Sequence, residues 1–516
     1  MIRTELIRPI PHLLAAHALE RGGKRAFCDD HRDLDYDALF VRTGRLAGHL
    51  RGLGITRGER AAIYMDNRVE AVECYLAIPR AAGIGVFVNP AAAEGEVAYM
   101  LEDSGARVLL TDAEHLDRAI RLARAAPALE HVVVVDGTSG ARAYEELVDS
   151  EPDRPAPDDL ELDAPAWMLY TSGTTGRPKG VLLTQRSCLW VVAACWAPIV
   201  GLGPDDHLLS GLPLFHSYAL DLTVVGVVAT GASEHLLPRF SSRRVIESLR
   251  TQPITLFPGV PTMFHYLLES LGDERLDAPS LRVCVSAGAI MPATLNADFE
   301  RAASVPLLDG YGITETSTMV TINWLSGTRP KGSCGLPLPG SAVRTVDPTD
   351  ERDVPPGRDG ELWVRGPHVM LGYHNRPDAS AEALRDGWYR TGDLGRADEH
   401  GYLTITGRIK ELIIRGGENI YPAEVEAALA DYPAVLDCAV VGIPHPTLGE
   451  VPIAFAVARE GERLYPDALQ AHCRKRLASF KVPTEVRAID EIPRTGSGKI
   501  MRHRLQELLL GAASPP

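Results

Sequence analysis

The chain has 516 residues, of which 45% are hydrophobic and 23% are charged, a composition typical of a globular protein and unlike that of disordered, collagen-like or membrane proteins. At roughly 100–200 residues per domain, this length predicts several domains or lobes. With 53 Lys and Arg residues against 68 Asp and Glu residues, the net charge is −15. Such a charge repels phosphate backbones, so we do not expect a nucleic-acid partner.

The apolar segments do not predict a membrane protein. The longest one, residues 189–203, contains Pro198 and is shorter than the ~20 residues that span a bilayer. Residues 1–12 lack the continuous apolar core of a signal peptide, so we expect a cytoplasmic protein with no membrane partner. The eight cysteines show no CxxC spacing, which favours small buried side chains over zinc sites or disulfides.

Helical patterns alternate with short apolar runs through the first 330 residues, as in βαβ units on parallel sheets. A loop rich in Pro and Asp, residues 152–165, divides this part into two predicted doubly wound regions. The second region contains a predicted amphipathic helix at residues 242–251. The predicted strands are residues 61–65, 85–88, 108–110, 131–135, 255–257 and 282–286.

Residues 332–403 read as short strands with many turns, which predicts a small β-rich lobe. Beyond Gly407 the pattern is that of a compact α+β domain. Its predicted helices are residues 423–430 and 466–478, and its predicted strands are residues 439–441 and 453–457. The predicted fold class is α/β, with a large N-terminal domain of doubly wound sheets plus the β-rich lobe over residues 1–406, and a small α+β C-terminal domain over residues 407–516.

The segment YTSGTTGRPKG, residues 170–180, is suited to binding phosphate. Its glycines let backbone N–H groups approach phosphate oxygens, its hydroxyls donate hydrogen bonds, and Lys179 adds a positive charge. It is not a Walker A loop, because Lys179 is followed by Gly180 and not by Ser or Thr. A glycine-rich linker would not explain so many hydroxyls. The predicted phosphate-binding residues are Thr171, Ser172, Gly173, Thr174, Thr175 and Lys179.

Together with further motifs, this segment resembles the adenylate-forming superfamily of acyl-CoA synthetases, peptide-synthetase adenylation domains and luciferases. One such string is weak evidence, but eight in family order are specific, and they cover nearly the whole chain. Gln185 and Ser187 depart from the His and Asn common after the first motif, at peripheral positions. The further motifs are PLFHSYAL (213–220), GVPTMF (259–264), DGYGITE (309–315), GELWVRGP (360–367), GWYRTGD (387–393), GRIKELIIRGGENIYPAEVE (407–426) and PRTGSGKI (493–500).

Several motif residues suit a nucleotide. Tyr311 has a flat face for a purine, Thr314 a hydroxyl for the α-phosphate and Glu315 a hard oxygen for Mg²⁺. Asp393 suits the ribose hydroxyls, and Arg408 adds donors for ribose or phosphate, unless these two residues form a salt bridge with each other. The expected nucleotide site also includes Asp309, Gly310, Gly312 and, where a base or acyl group can lie against the backbone, Gly288.

The resemblance implies further roles. Lys499 matches the family lysine that bridges the carboxylate and the ATP phosphates. Lys410 stands at the hinge about which a mobile C-terminal domain rotates between two half-reactions, and the turn at 415–417 would then line the tunnel for the pantetheine thiol. His216 stands at the gate of the acyl pocket, with a core histidine as the alternative. The expected catalytic residues are Lys499, Glu315, Thr314 and His216.

Asp221 bears most directly on the substrate. It follows His216 by about one helical turn within an apolar segment, where a carboxylate is costly unless it meets a cation or strong donors. A substrate ammonium group is such a cation, and the position resembles that in stand-alone enzymes that load β-amino acids onto carrier proteins for macrolactam biosynthesis. The alternative is a structural hydrogen bond or a pairing with an Arg. Gly211, Gly288 and Ile290 are the expected small or apolar walls of the acyl pocket.

The sequence therefore predicts an enzyme that uses ATP and Mg²⁺ to adenylate a small-molecule carboxylic acid and transfers it to a pantetheine thiol. The leading substrate is an aliphatic β-amino acid passed to an acyl carrier protein, and the alternative is a fatty or aryl acid passed to CoA. A basic patch, residues 474–476 with Lys481, can meet either acceptor or be a solvated helix face. A binding protein without catalysis is not expected, because Lys499, Glu315 and Asp393 are all present.

Overall fold

The computed structural model describes residues 1–137, 140–157, 160–171, 177–494 and 500–511. The chain forms two compact units. The first comprises Met1–Val343 and Val364–Tyr389, and the second comprises Arg344–Trp363 and Arg390–Pro516. The predicted domain boundary between residues 406 and 407 stays a prediction.

Helices and short strands alternate along most of the chain. In chain order, the helices are α1 (Ile10–Arg21), α2 (Tyr36–Gly52), α3 (Val69–Arg80), α4 (Glu94–Ser104), α5 (Leu116–Ala125), α6 (Tyr144–Asp149), α7 (Gln185–Val191), α8 (Gly226–Thr230), α9 (Ser242–Thr251), α10 (Pro261–Leu271), α11 (Ala293–Ala303), α12 (Pro377–Ala383), α13 (Pro422–Ala430), α14 (Pro466–Arg474) and α15 (Arg502–Gly511). The strands are β1 (Arg25–Cys28), β2 (Asp33–Asp35), β3 (Arg60–Tyr64), β4 (Ile84–Phe87), β5 (Val108–Asp112), β6 (His131–Val135), β7 (Arg142–Ala143), β8 (Pro165–Thr171), β9 (Lys179–Thr184), β10 (His207–Ser210), β11 (Ser233–Leu236), β12 (Leu256–Gly259), β13 (Val283–Ser286), β14 (Leu307–Tyr311), β15 (Thr321–Ile322), β16 (Leu336–Pro337), β17 (Ala342–Val346), β18 (Gly360–Arg365), β19 (Gly372–Tyr373), β20 (Leu384–Arg385), β21 (Trp388–Ala397), β22 (Leu403–Arg408), β23 (Ile413–Arg415), β24 (Glu418–Ile420), β25 (Val435–His445), β26 (Gly449–Ala458) and β27 (Glu485–Ala488). There are also two π-helical segments: Val192–Val200 directly follows α7, and Ala219–Val225 directly precedes α8.

The first unit contains two mixed sheets, an eight-stranded one of order β19-β9-β8-β4-β3-β5-β6-β7 and a nine-stranded one of order β16-β15-β14-β13-β12-β10-β11-β1-β2. Strand β3 shows why its sheet is covered on both faces. Ala61 and Ile63 belong to one buried cluster, whereas Ala62 and Tyr64 belong to another. Because successive side chains point to opposite faces, an unbroken apolar run predicts a strand that is buried on both sides.

The predicted division of the first 330 residues at about residue 165 is wrong. Strands β1 and β2 join the nine-stranded sheet, and β8 and β9 join the eight-stranded one. Apolar alternation identifies a strand but not the edge on which it pairs, because pairing depends on contacts distant in sequence.

Most of the individual helices and strands agree with the prediction. The predicted strands coincide with or overlap β3–β6, β12, β13, β25 and β26, and residues 242–251 form α9 as predicted. The helix predicted at residues 466–478 ends earlier, because α14 stops at Arg474 and a 3₁₀ turn follows at Ser479–Lys481. All eight cysteines are buried and free. Among the described helices, none combines the length and the apolar character that crossing a bilayer requires.

The second unit contains most of the residues of two five-stranded sheets. In one, β18 lies between β17 and β21, and β22 pairs with β21; the other has the order β24-β23-β26-β25, with β27 paired to β26. The second sheet is also buried on both faces, since Ala454 and Phe455 belong to different clusters. Gly416 and Gly417, at φ +60° and +88°, form the turn between β23 and β24, and a two-residue turn with both angles positive favours glycine.

Parallel pairing in the nine-stranded sheet aligns the carboxyl ends of four strands. Strands β10, β12, β13 and β14 run parallel in that spatial order, and Ser286 at the end of β13 pairs with Gly259 and with Asp309. The segments that leave these strands therefore emerge at one edge of the sheet, where α/β proteins characteristically bind ligands.

Candidate functional site

The two ends of the predicted phosphate loop lie side by side. Strands β8 and β9 pair antiparallel, with Tyr170 opposite Gly180 and Thr171 opposite Lys179. The Tyr170 hydroxyl donates a 2.9 Å hydrogen bond to Asp103, which anchors the loop entrance. The remaining predicted phosphate ligands, Ser172, Gly173, Thr174 and Thr175, lie outside the described residues.

The motif DGYGITE forms a tight turn at the carboxyl end of β14. A Cβ on Gly312 would lie 1.3 Å from the Thr318 carbonyl oxygen, so only glycine fits there. A Cβ on Gly310 would lie 3.0 Å from the carbonyl oxygen of Thr321. This close return of the chain fixes the 3₁₀ turn Thr314–Thr316 and with it the predicted phosphate and metal ligands.

The predicted gate segment packs against this turn. The Ser217 hydroxyl donates a 3.4 Å hydrogen bond to Thr314 Oγ1. The Tyr218 hydroxyl donates to the Val285 carbonyl oxygen at 3.0 Å, next to the carboxyl end of β13. His216, whose ring centroid lies 4.6 Å from that of Phe215, is thereby held beside the residues expected to meet the α-phosphate.

A residue that the sequence reasoning missed connects the phosphate loop with the predicted metal ligand. The Tyr373 hydroxyl donates a 3.0 Å hydrogen bond to Glu315 Oε1, and Lys179 Nζ lies 4.9 Å from the centroid of the Tyr373 ring. Tyr373 follows Gly372 between two motifs. No spacing rule singles it out, because strand β19 joins the sheet through a pairing distant in sequence.

The oxygen ligands at the turn fit magnesium. Glu315 offers a carboxylate and Thr314 a hydroxyl, the hard ligands that Mg²⁺ accepts alongside water and phosphate oxygens. Asp309 is a poorer ligand, because burial raises the pKa of its carboxyl well above the usual range. Its carbonyl oxygen accepts a hydrogen bond from the Asn323 backbone N–H at 2.9 Å, which fixes β14. Tyr311 is buried at the same strand end.

The predicted small and apolar wall residues occupy different surroundings. Gly288 is exposed with φ +89°, and Ile290 is 46% exposed. Gly211 is buried, and a Cβ there would lie 3.1 Å from the Phe240 Cα. Close backbone approach thus explains Gly211, whereas Gly288 and Ile290 lie at the open carboxyl edge of the sheet.

Asp221 is completely enclosed by protein. Its exposed fraction is 0%, and the indole N–H of Trp196 donates a 2.6 Å hydrogen bond to Oδ1. Burial raises the pKa of the carboxyl well above its usual range, and hydrogen bonds from Trp196 and Cys188 offset this only in part. Among the described residues, Oδ2 has no hydrogen-bond partner. The structural hydrogen bond that the sequence left as an alternative is present, and the pairing with a substrate ammonium group stays a prediction.

In the second unit, Asp393 and Arg408 form the salt bridge that the sequence also left open. Arg408 Nε lies 2.8 Å from Asp393 Oδ1, across the pairing of β21 with β22. Lys410 is exposed in the 3₁₀ turn Ile409–Glu411, which suits a hinge. Lys499 lies outside the described residues.

The predicted basic patch is partly neutralised. Lys481 donates to both carboxylate oxygens of Glu424, at 2.8 and 2.7 Å. Arg476 lies 4.0 Å from Asp431. The charge of the patch is therefore smaller than the sequence alone indicated.

Comparison with known proteins places the chain in a family. Residues 14–374 match the model described as AMP-binding enzyme, and residues 424–499 match the model of the AMP-binding enzyme C-terminal domain. A feruloyl-CoA synthase of Amycolatopsis sp is 38% identical over 91% of this chain and 92% of its own length. Naringenin synthase of Pestalotiopsis fici is 37% identical over 96% of this chain, which spans only 18% of that relative.

Solved structures agree. The anthranilate CoA ligase AuaEII in complex with anthranoyl-AMP has a TM-score of 0.92 and 27% identity, with both chains fully covered. The o-succinylbenzoate coenzyme A synthetase MenE of Bacillus subtilis, in complex with ATP and magnesium ion, has a TM-score of 0.83 and 30% identity over 96% of this chain and 99% of that one. These matches confirm the predicted α/β fold. The chain therefore belongs to the AMP-binding enzyme family and is an enzyme of the ligase class.

Proposed function

We propose that the protein activates an aromatic carboxylic acid without an amino group by adenylation and transfers the acyl group to CoA. In the first step a carboxylate oxygen attacks the α-phosphorus of ATP, and the bond to the leaving pyrophosphate breaks. In the second step the CoA thiol loses its proton and attacks the acyl carbon, and AMP leaves. The sequence favoured a β-amino acid passed to a carrier protein over a fatty or aryl acid passed to CoA, and this proposal reverses that order.

The observation that carries the proposal is the enclosure of Asp221. A carboxyl group at 0% exposure, whose pKa is raised by burial, is enclosed away from a substrate and is disfavoured in its charged form, so it is a poor partner for a substrate ammonium group. An acid without an amino group needs no such partner. The feruloyl-CoA synthase, which is similar over most of this chain, carries the name of an aromatic acid without an amino group, which supports the same choice.

In the proposed reaction each of the candidate site residues has a separate task. Thr314 and Lys179 provide a hydroxyl and a positive charge for phosphate oxygens, and Glu315 and Thr314 are the residues that would hold magnesium. Magnesium, when bound, neutralises the phosphate charge that grows as pyrophosphate leaves. Lys499 is proposed to bridge the carboxylate and the phosphates, Asp393 and Arg408 to bind the ribose, and Lys410 to be the hinge between the two half-reactions.

A β-amino acid passed to an acyl carrier protein is the second candidate. It is favoured by Asp221 Oδ2, which is buried without a hydrogen-bond partner among the described residues. Such an oxygen is costly to bury, and an ammonium group that reached it would relieve that cost. The candidate requires a rearrangement around Trp196 that exposes Asp221 to the substrate.

A comparison of acids and acceptors tests the proposal. The purified full chain is incubated with ATP, Mg²⁺ and one acid at a time, drawn from cinnamates, benzoates, fatty acids and 3-amino acids, with CoA or a phosphopantetheinylated carrier protein. Mass spectrometry quantifies AMP and the acyl thioester. Cinnamoyl- or benzoyl-CoA as the main product supports the proposal. Thioesters formed only from 3-amino acids on the carrier protein would contradict it.

A further inference from the structure

Tyr373 is fixed by its backbone between two parts of the candidate site. In the pairing of β19 with β9, Tyr373 lies opposite Val181, two residues after Lys179. The Tyr373 N–H donates to Ser380 Oγ at 2.8 Å. Three residues before Tyr373, the Met370 N–H donates to the Glu315 carbonyl oxygen at 2.8 Å. Strand β19 is therefore tied both to the strand that leaves the phosphate loop and to the turn that carries Glu315.

The side chain of Tyr373 makes two different contacts at this place. Its hydroxyl donates to Glu315 Oε1 at 3.0 Å, and its ring face lies 4.9 Å from Lys179 Nζ, a distance typical of a cation–π contact. One side chain thus touches the predicted metal ligand and the predicted phosphate ligand.

Such a contact changes what Glu315 can do. A free glutamate side chain samples many rotamers, and ordering it on binding costs conformational entropy. A hydrogen bond to one carboxylate oxygen orients the group in advance, and partners of this kind behind a metal ligand typically change metal affinity about 10- to 100-fold when removed. Within the described part of the chain, Tyr373 is the residue whose side chain donates to the Glu315 carboxylate.

We propose that Tyr373 is a positioning residue, which orients the Glu315 carboxylate for the divalent cation of the cation–ATP complex and supports Lys179 beside the phosphates. The inference rests on the proposed function, because it assigns the cation to Glu315. It predicts that removal of the hydroxyl weakens binding of the cation, whereas removal of the ring also weakens binding of the nucleotide.

The test is a Mn²⁺ titration followed by electron paramagnetic resonance, on the full chain with the non-hydrolysable analogue α,β-methylene-ATP. Tyr373→Phe is expected to weaken Mn²⁺ binding about tenfold or more and to leave metal-free binding of the analogue unchanged. Tyr373→Leu is expected to weaken both. Tyr465→Phe is the matched control, because Tyr465 is 57% exposed and distant in sequence from the motifs involved.

A double mutant keeps the test decisive if Tyr373→Phe also lowers stability. If Tyr373 acts through Glu315, then Tyr373→Phe in a Glu315→Gln background causes no further loss of Mn²⁺ affinity. The inference would be overturned by equal Mn²⁺ affinity of the wild type and Tyr373→Phe, or by a full additional loss of affinity in the double mutant. In either case, acid-dependent pyrophosphate exchange by the wild type would still uphold the proposed function. A wild type without exchange for any acid would overturn both.

Discussion

The indole N–H of Trp196 donates a 2.6 Å hydrogen bond to the carboxyl group of Asp221, and the two residues lie in the two π-helical segments of the first unit. Such segments occur frequently at functional sites. The contact satisfies one carboxyl oxygen inside protein and leaves Asp221 at 0% exposure. Whether a substrate ammonium group can pair with Asp221 therefore depends on whether this enclosed carboxyl group is charged and can be reached.

Replacement of Asp221 by Asn tests whether the carboxyl group is protonated in the folded protein. Burial raises the folded-state pKa above the unfolded value of about 3.9, so the folded state binds more protons and its stability falls as the pH rises from that value towards the folded-state pKa. Asn cannot titrate and keeps the Trp196 hydrogen bond. Melting temperatures at pH 5–8 are therefore expected to rise for Asp221→Asn relative to the wild type as the pH increases. A constant difference would mean that Asp221 is already ionised in the fold.

Gly312 is expected to be irreplaceable in the turn that carries Thr314 and Glu315. Ala would place its Cβ 1.3 Å from the Thr318 carbonyl oxygen, and the forced shift costs about 1–3 kcal/mol of stability. Because the turn itself must move, pyrophosphate exchange should fall about tenfold or more. The control is Gly95→Ala in α4, where no atom lies within 4 Å of the added Cβ. An active Gly312→Ala enzyme would show that the turn is not rigid.

Arg502 is expected to stabilise the second unit. Its Nε lies 3.0 Å from Glu411, its guanidinium group also pairs with both carboxylate oxygens of Glu426, and its pKa is raised by this network in spite of burial. Arg502→Met leaves two partly buried carboxylates without their cation, a loss of about 3 kcal/mol for such a pair. Arg487→Met removes only an exposed pair with Glu485 and should cost less than about 1 kcal/mol. Thermal unfolding of the two variants measures the difference.

His368 predicts acid sensitivity of the first unit. It is fully buried, and burial lowers its pKa to about 4, so the unfolded state binds a proton at a higher pH than the folded state does. This contribution to the free energy of unfolding is fully present above pH 6.5, the pKa in the unfolded state. It falls by on the order of 3 kcal/mol as the pH decreases from 6.5 to about 4. His368→Gln should flatten this fall, whereas the exposed-site control His12→Gln should not. Parallel melting curves for all three proteins would refute the assignment.

Local patterns predicted the elements well because they depend on neighbours in the sequence. The amphipathic spacing of α9 and the unbroken apolar runs of β3–β6 report burial directly. The glycines of the turn at 416–417 likewise reflect a local need for positive φ. By contrast, the assignment of β1 to the nine-stranded sheet and of β8 to the other depends on long-range pairing.

The candidate site could be predicted only in part, for a related reason. Motif strings located Thr314, Glu315 and Lys179, whereas Tyr373 joins them only through a pairing of strands far apart in sequence. Asp221 was noticed because a carboxylate in an apolar run is unusual. Its hydrogen bond with Trp196 cannot be predicted from the sequence, because the two residues lie in separate helical segments. The sequence therefore indicates that Asp221 bears on the substrate, but it does not favour the acid without an amino group.

The measurement that tests the central claim most directly is acid-dependent ATP–pyrophosphate exchange with 3-phenylpropanoate and with 3-amino-3-phenylpropanoate, two acids that differ only in the amino group. It is made on the wild type and on Asp221→Asn. We expect the wild type to exchange with 3-phenylpropanoate and not with the amino acid, and Asp221→Asn to retain this activity. Exchange with the amino acid alone, abolished in Asp221→Asn, would contradict the account and make Asp221 the partner of a substrate ammonium group.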